Sequence, residues 1–542
     1  MSGDEQKPID DQSDLSRLTP EELREQTEKR IAEELEQRKS EKKEPGKPHA
    51  PDEVDSKFVT DCLWQNELGD GKLYAELHRG KFIFNKNDKS SNDVSIGWYE
   101  WTGHHWDRDV MNYAVAVVEN VSRRYLQEAD DLGYQINDAI QNGEAEKLKK
   151  LQHTQKKLRE RVFALRSDAR RRKCLICAHT NENPLAVPGD GFDLDPWVIA
   201  CKNGVVDLRT GILRPGRPDE YIFKACPHEW KGINEPAPEW DKFINTTFES
   251  NKELIDFLQR LFGYATTGLT AQRKFIILHG QGQNGKGVLV ETLLHVLGPL
   301  AAPILSEMLL DQGRSRSSAA PSPDIMGLKG LRMAFASETD EGRMFSSARV
   351  KWFSGGDTLK GRAPHARDDI FFQPTHTLFL LTNNKPHAAS YDYAFWERMI
   401  LVPFGLSFVN RQPVKDNERL ADLFLQETLM KEAPGILAWL VRGCIAWQEQ
   451  GLDPPKIVLK AGQAYKEEED ILGPYIEECC YVDPEAKVGA SDLYDNYHVW
   501  FVKNISKKGL AQKKFGAMMK RAGYDKSKSG TYTYLGIGLL AV

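Results

Sequence analysis

Apolar residues are sparse over residues 1–53, where only Leu23, Ile31 and Leu35 could line one side of a helix. Thr19, Pro20 and Glu22 form a helix start: a hydroxyl cap, a proline in the first turn, and an acid three residues after the cap. So thin a stripe predicts a helix that forms transiently or against a partner, inside a charged tail that otherwise stays disordered. From residue 54 the apolar positions become dense. The run from Gly97 to Trp106 alternates like a short hairpin. Between Val110 and about Arg172, Leu126, Ile136, Ile140, Leu148, Leu151 and Leu158 recur among charges, which predicts an antiparallel helical hairpin broken near Asn142 and Gly143. Trp197 to Cys201 reads as a strand, Lys202-Asn-Gly204 as a turn, and Val205 to Leu208 as a second strand. A proline-containing stretch, Asn234 to Glu239, marks a boundary.

Beyond it, residues 240–270 read as helices leading into a strand. From 274 to about 405, apolar strand runs alternate with helices, the pattern of an α/β layer with a largely parallel sheet. A helical stretch follows over 415–470, then a compact unit from Ile471 to Val542, and no internal repeat is found. The expected organisation is a charged tail over 1–53, a mainly helical accessory domain over 54–235, an α/β domain with leading helices over 236–410, a helical lid or linker over 411–470, and a final domain over 471–542.

Composition narrows the function. At 542 residues, with 40% apolar and 28% charged residues, the chain is long enough for several ordinary globular cores. No apolar run approaches the roughly 20 residues needed to cross a bilayer. The opening Met-Ser-Gly-Asp-Glu-Gln-Lys lacks the apolar core of a secretion signal, so the expectation is a cytoplasmic protein with no membrane partner. Of the eight cysteines, only Cys174 and Cys177 have metal-like spacing. Zinc would need His179 and Cys201 as well, and reduced thiols are the plainer reading. A net charge of -6 argues against a protein coated in nucleic acid and confines any DNA contact to basic patches or an internal channel.

The candidate chemistry begins at the apolar run Lys274 to His279. It empties into Gly280, Gln281, Gly282, Gln283, Asn284, Gly285, Lys286, Gly287 and Val288, and an apolar helix then runs to Leu297. Strand, glycine loop and helix stand in the order a phosphate cradle needs: glycines let backbone N–H groups approach, the helix N-terminus adds its dipole, and Lys286 reaches the β- and γ-phosphates. Two glycines and a lysine alone arise by chance, so the flanking elements carry the reading. Gly287 stands where a Mg²⁺-binding Ser or Thr usually follows the lysine, so water or another side chain must replace that hydroxyl. Such a loop also needs acids. Glu338, after the strand-like Leu331 to Ala336, is the candidate catalytic acid and Mg²⁺ partner, with Asp340 next; an exposed acidic turn is the plainer alternative. A further strand, Thr377 to Leu381, delivers Thr382, Asn383 and Asn384 to the same edge, where an amide could sense the γ-phosphate. Arg398 could act on a neighbouring subunit's ATP, or be an ordinary surface arginine.

In order and spacing, Gly280 to Gly287, Ser337-Glu338, Ser354 to Arg362, Phe372-Gln-Pro374, Thr382-Asn383 and Trp396-Glu-Arg398 resemble the superfamily 3 helicases. The resemblance is to the phage and plasmid primase-helicase family that includes the poxvirus helicase-primase type. It extends to Asn203 to Gly211, Leu261 to Tyr264, and the final domain. It implies an AAA+-like ATPase working with ATP and Mg²⁺ in a hexameric ring that moves 3′ to 5′ along single-stranded DNA or forks. That places it in the replication of a phage, prophage or plasmid in a bacterial host's cytoplasm. It also implies the phosphate loop over Gly280 to Gly287, Glu338 as the acid, Asn383 as polar sensor and Arg398 as the finger in trans. The family's basic pair after Trp is Glu397-Arg398 here, so one base remains. Between Asp357 and Pro374 it implies a DNA-gripping channel hairpin, for which Lys360, Arg362, His365 and Arg367 supply charge; a solvated basic loop is the alternative.

The final unit reads as helix, helix and hairpin and looks like a winged helix, with Lys507, Lys508, Lys513, Lys514, Lys520, Arg521, Lys526 and Lys528 suited to duplex DNA. No primase domain fits before residue 54, and a separate primase or polymerase could be a partner. The cluster His104-His105-Trp-Asp107-Arg-Asp109 reads as a hairpin edge rather than a metal site. Two rival functions remain: an ATP-regulated origin-binding initiator or loader without processive unwinding, and a ring whose ATPase is degraded, which Gly287 would favour.

Overall fold

The computed structural model describes residues 54–88, 93–189, 191–313, 320–337, 341–362, 369–390, 392–504, 509, 511–529 and 531–540. The expected helix start at Thr19 lies outside them. The first helix, Ser56–Trp64, begins where the Asp55 carboxylate accepts from the Phe58 N–H, and Asn66–His78 follows. Strands β1 (Phe82–Asn85), β2 (Trp98–Trp101) and β3 (Trp106–Arg108) come next. The aromatic hairpin is thus β2 paired antiparallel with β3 at a sheet edge, and His104 and His105 sit in its turn. Helices Val118–Gln141 and Ala145–Leu165 form the expected antiparallel pair, reversing at Gly143, whose φ of +68° suits glycine. With helix Asp168–Thr180 they enclose Tyr74, Val121, Tyr125, Leu158, Leu165 and Cys174.

Cys174 is buried there and its thiol donates to the Asp70 carbonyl at 3.4 Å, whereas Cys201 packs in a different core. Among the described residues no group of three or more His, Cys, Asp or Glu could hold a metal ion. Strand β4 (Ala186–Val187) joins the first sheet, in order β3-β2-β1-β4. A second small sheet follows, with β5 (Val198–Cys201), β6 (Gly204–Asp207) and β7 (Ile212–Arg214). The segment therefore carries two small sheets beside its helices.

Helices Pro238–Thr247 and Lys252–Thr267 lead into β8 (Phe275–His279). The chain continues through β9 (Ala301–Ile304), β10 (Met333–Ser337), β11 (Leu359–Gly361), β12 (Ile370–Phe372), β13 (Thr377–Thr382) and β14 (Met399–Pro403). Five of these make an all-parallel sheet in the order β14-β8-β13-β10-β9. Its strands are continuous apolar runs because both faces are covered. Ile276, Leu278, Phe335, Phe379 and Ile400 face one core, and Phe275, Ile277, Ala334, Leu380 and Leu401 the other. On the first face, helix Lys252–Thr267 packs against helix Ala433–Gln450 through facing glycines. A Cβ on Gly263 would lie 2.1 Å from the Cys444 nitrogen, and one on Gly443 2.0 Å from the Gln259 carbonyl oxygen. Such contact leaves no room for any side chain there.

The stretch expected to be helical from 415 opens instead with a short parallel pair, β15 (Ser407–Val409) with β16 (Glu418–Leu420), and its helices start at Leu425. Helix Lys456–Glu468 packs on β14's side of the second core, where Tyr465 is buried. The C-terminal unit comprises helix Leu472–Cys479, β17 (Cys480–Gly489), helices Ala490–Asn504 and Gln512–Arg521, β18 (Lys526–Ser529) and β19 (Thr531–Leu539). Its antiparallel sheet, ordered β17-β19-β18, covers Tyr475, Tyr497, Phe515, Tyr534 and Ile537. The sequence reads a hairpin over Thr531 to Gly538, but those residues form one strand, β19, whose hairpin partner β18 precedes it; β17 is not expected, because its Asp483-Pro-Glu485 centre interrupts the apolar alternation where the ladder slips between Val482 and Lys487.

Candidate functional site

The loop after β8 folds as it does because its backbone must turn away from a strand and start a helix within six residues. Gly282, Gln283 and Gly285 all have positive φ, at 91°, 47° and 84°. The two glycines take that region without strain, while Gln283 is held in it by the Phe408 N–H, which donates to its carbonyl at 2.5 Å. Gly280 is sterically required: a Cβ there would lie 2.1 Å from Asn284 Nδ2 and 2.6 Å from the Phe404 carbonyl oxygen. Helix Lys286–Leu297 then begins with no side-chain cap on its orphan N–H groups, which leaves them for a ligand.

These elements enclose a cavity of about 760 Å³, lined by residues 282–288 with Ser337, Leu381, Thr382, Asn383 and Asn384. The volume falls in the range of small-molecule and cofactor sites. Lys286 is buried, and its ammonium donates to the Gly280 carbonyl at 2.8 Å and to Asn383 Oδ1 at 2.9 Å. Burial pushes its pKa down to about 8. Asn284 is also buried, with its Nδ2 lacking a partner among the described residues. A concave loop of N–H groups, an unpaired amide and a desolvated lysine are the donor set a polyphosphate needs. A Cβ at Gly287 would meet nothing within 4 Å, so the site has room for the missing hydroxyl but does not contain it.

Asn383 and Lys286, 97 residues apart in sequence, meet because β13 pairs in register with β8, Thr382 opposite His279. The candidate acids Glu338 and Asp340 lie outside the described residues; the described strand β10 ends at Ser337, opposite Leu381 and on the cavity wall. Two carboxylates passed over by the sequence reading, Glu291 and Glu341, line the cavity. Glu291 had a legible signal, standing four residues after Gly287 and so on the same helix face. Glu341 closes the same acidic run as Glu338 and Asp340, one residue beyond the two acids chosen from it.

Arg398 is not part of this constellation. It precedes β14, and its carbonyl accepts from the Phe275 N–H at the start of β8, the edge opposite the loop. With five strand residues between, that is roughly 15 Å from the phosphate loop. Its guanidinium donates to the Ala394 carbonyl at 2.8 Å, and Nε is buried without a partner among the described residues. Of the basic hairpin, Lys360 lies on β11, paired across to Phe371 on β12. Its ammonium meets Asp369 at 2.7 Å and sits 5.7 Å from the Phe371 ring centroid. The Arg362 N–H donates to Ser322 Oγ at 2.9 Å. His365 and Arg367 lie outside the described residues. Lys513 and Lys514 are exposed in the first turn of their helix.

Among the described residues no helix is long and apolar enough to cross a membrane. A family model described as D5 N terminal like matches residues 75–249. "Putative helicase L207/L206" of Acanthamoeba polyphaga mimivirus is 28% identical over 465 residues, covering 81% of this chain and 46% of the relative. "Putative helicase 022R" of Frog virus 3 (isolate Goorha) is 23% identical over 403 residues, 61% of this chain and 41% of the relative. The chain thus spans less than half the length of these two relatives. Among solved structures, the apo NrS-1 C terminal region is 11% identical with a TM-score of 0.41, over 66% of this chain and 87% of that one. The chain thus carries a D5 N terminal like region ahead of its glycine loop and is similar over most of its length to viral proteins named as putative helicases.

Proposed function

We propose that the protein is an ATP-driven DNA helicase with an AAA+-like motor, working with Mg²⁺ as a homo-hexameric ring that moves 3′ to 5′ on single-stranded or forked DNA during replication of a viral or related mobile element. The observation that carries this is the Lys286–Asn383 contact across a phosphate loop built for polyphosphate. When nucleotide enters, Lys286 exchanges Gly280 and Asn383 for phosphate oxygens, and Asn383 is released to face the γ-phosphate. In this reading Glu338, with Asp340 beside it, orients the attacking water and the metal's hydration shell. Arg398, too far away to serve its own subunit's nucleotide, serves the next subunit's.

The segments take their expected parts: 54–235 as accessory domain, 236–410 as motor, 411–470 as lid and 471–542 as winged helix. Lys360, Arg362, His365 and Arg367 would contact phosphates in the channel. Lys513 and Lys514 oppose the dipole of their own helix, a placement that favours a phosphate ligand over stability. The open position at Gly287 favours a second reading, an origin-binding initiator with weak hydrolysis. The deciding experiment is ATP-dependent separation of a labelled fork by wild type, Lys286→Ala and Arg398→Ala, with the two variants also mixed. Unwinding by wild type alone, and partial recovery of hydrolysis on mixing, supports the ring motor. Binding of DNA and ATP without strand separation replaces it with the initiator.

A further inference from the structure

The chain is acidic as a whole, at -6, yet residues 145–180 hold twelve Lys and Arg against three Asp and Glu. Most of that charge lies on helix Ala145–Leu165, the second arm of the helical hairpin. Leu158, Val162 and Leu165 bury one face of it. At 100° per residue, Lys149, His153, Lys156 and Phe163 fall together on the opposite, outward face. Phe163 is 84% exposed. Trp64, 53% exposed, lies nearly parallel to His153, at 7° and 6.0 Å between ring centroids. From Lys149 to Phe163 the strip runs about 21 Å.

Elsewhere on the hairpin, bases are matched with acids: Arg166 with Glu119 at 2.9 Å, Arg161 and Arg170 with Asp70, Lys157 with Glu160 at 2.8 Å. Glu160 on the outward face is thereby paired, and Glu146, exposed in the first turn, is the other acid on that face. Lys149, Lys150 and Lys156 make no salt bridge among the described residues, although Glu160 also lies in the field of Lys156 and His153. Solvated charges and scattered apolar residues are each ordinary on an exposed helix face. Unpaired lysines interleaved with exposed flat rings are the arrangement that holds a backbone of phosphates while stacking bases.

We propose that this face, Trp64 with Lys149, Lys150, His153, Lys156 and Phe163, is a binding surface for single-stranded nucleic acid, separate from the β11–β12 hairpin and the C-terminal unit. It rests on the reading of the protein as one that works on DNA, but not on ATP. The lysines neutralise successive phosphates, and Phe163 and the Trp64–His153 pair offer stacking platforms without sequence preference.

The test is nucleotide-free binding of the full chain to labelled oligothymidylate across a salt series. Replacing Lys149, Lys150 and Lys156 together by Ala should lower the slope of log affinity against log salt by about 2, at roughly 0.7 per phosphate contact on single strands. The same three changed to Arg should keep the wild-type slope. Phe163→Ala should weaken binding roughly tenfold with the slope unchanged. Unchanged affinity and slope in the triple alanine variant overturns the proposal. So does competition by polyglutamate as strong as by oligonucleotide with Phe163→Ala neutral, which would make the face a dock for an acidic protein. Lys286→Ala should bind the oligonucleotide like wild type, so loss of ATPase chemistry and loss of this surface are read separately.

Discussion

Raising the pH should weaken nucleotide binding through a single group. Lys286 is buried in the ligand-free site, and its pKa is held down to about 8 by burial. A polyphosphate in the loop favours the ammonium, so the complex retains a proton that the free site loses above pH 8. By linkage, affinity is flat below pH 8 and falls above it, the dissociation constant rising roughly tenfold by pH 9 and about thirtyfold by pH 9.5. Calorimetric titration with Mg-ATP from pH 7 to 9.5 at constant ionic strength reads this directly. Lys286→Arg should bind more weakly at pH 7.5 but without the slope, since a guanidinium does not titrate there. The same depression means that a charged Lys286 costs the ligand-free protein up to about 3 kcal/mol at pH 7. Lys286→Met should therefore raise the melting temperature of the free protein while abolishing ATP binding. Wild-type affinity that stays flat to pH 9.5, with no stabilisation in Lys286→Met, would refute the picture of a desolvated lysine waiting for phosphate.

Gly287→Thr should fold normally, since its Cβ meets nothing within 4 Å, and should lower the Mg²⁺ concentration giving half-maximal ATPase rate. Arg332 is buried and donates to the Thr267, Asp195 and Val198 carbonyls, so Arg332→Leu should cost about 3–5 kcal/mol in thermal or urea denaturation by stranding those acceptors. Burial holds His376 down to about 4, below its unfolded value near 6.5, so its contribution is complete above pH 6.5 and is lost as pH falls toward 4, by up to about 3 kcal/mol. His376→Phe should flatten that acid limb in denaturation curves taken at several pH values.

How much was legible in advance differs from element to element. The strand before Gly280, the helix after it and the helical hairpin reversing at Gly143 were readable because each depends on local periodicity and on glycine's access to positive φ. The turn of the glycine loop was readable for the same reason: its conformation is set by consecutive residues. The short pair β15–β16 and the bulged strand β17 were not, because their pairing partners lie elsewhere in the chain and their own residues do not alternate.

Tertiary structure alone decided which distant residues meet. Parallel pairing of β13 with β8 puts Asn383 on Lys286, a contact no spacing rule encodes, because register is set by two buried faces. The same sheet carries Arg398 to the opposite edge, since a residue before a parallel strand and a loop after its neighbour are separated by the strand's whole length. The sequence by itself determined a glycine loop between a buried strand and a helix, an α/β pattern and where basic residues cluster. Which bases remain unpaired on an outward face, and which are neutralised by acids from another helix, followed only from packing, because charge becomes available to a partner only after the fold has chosen its own pairs.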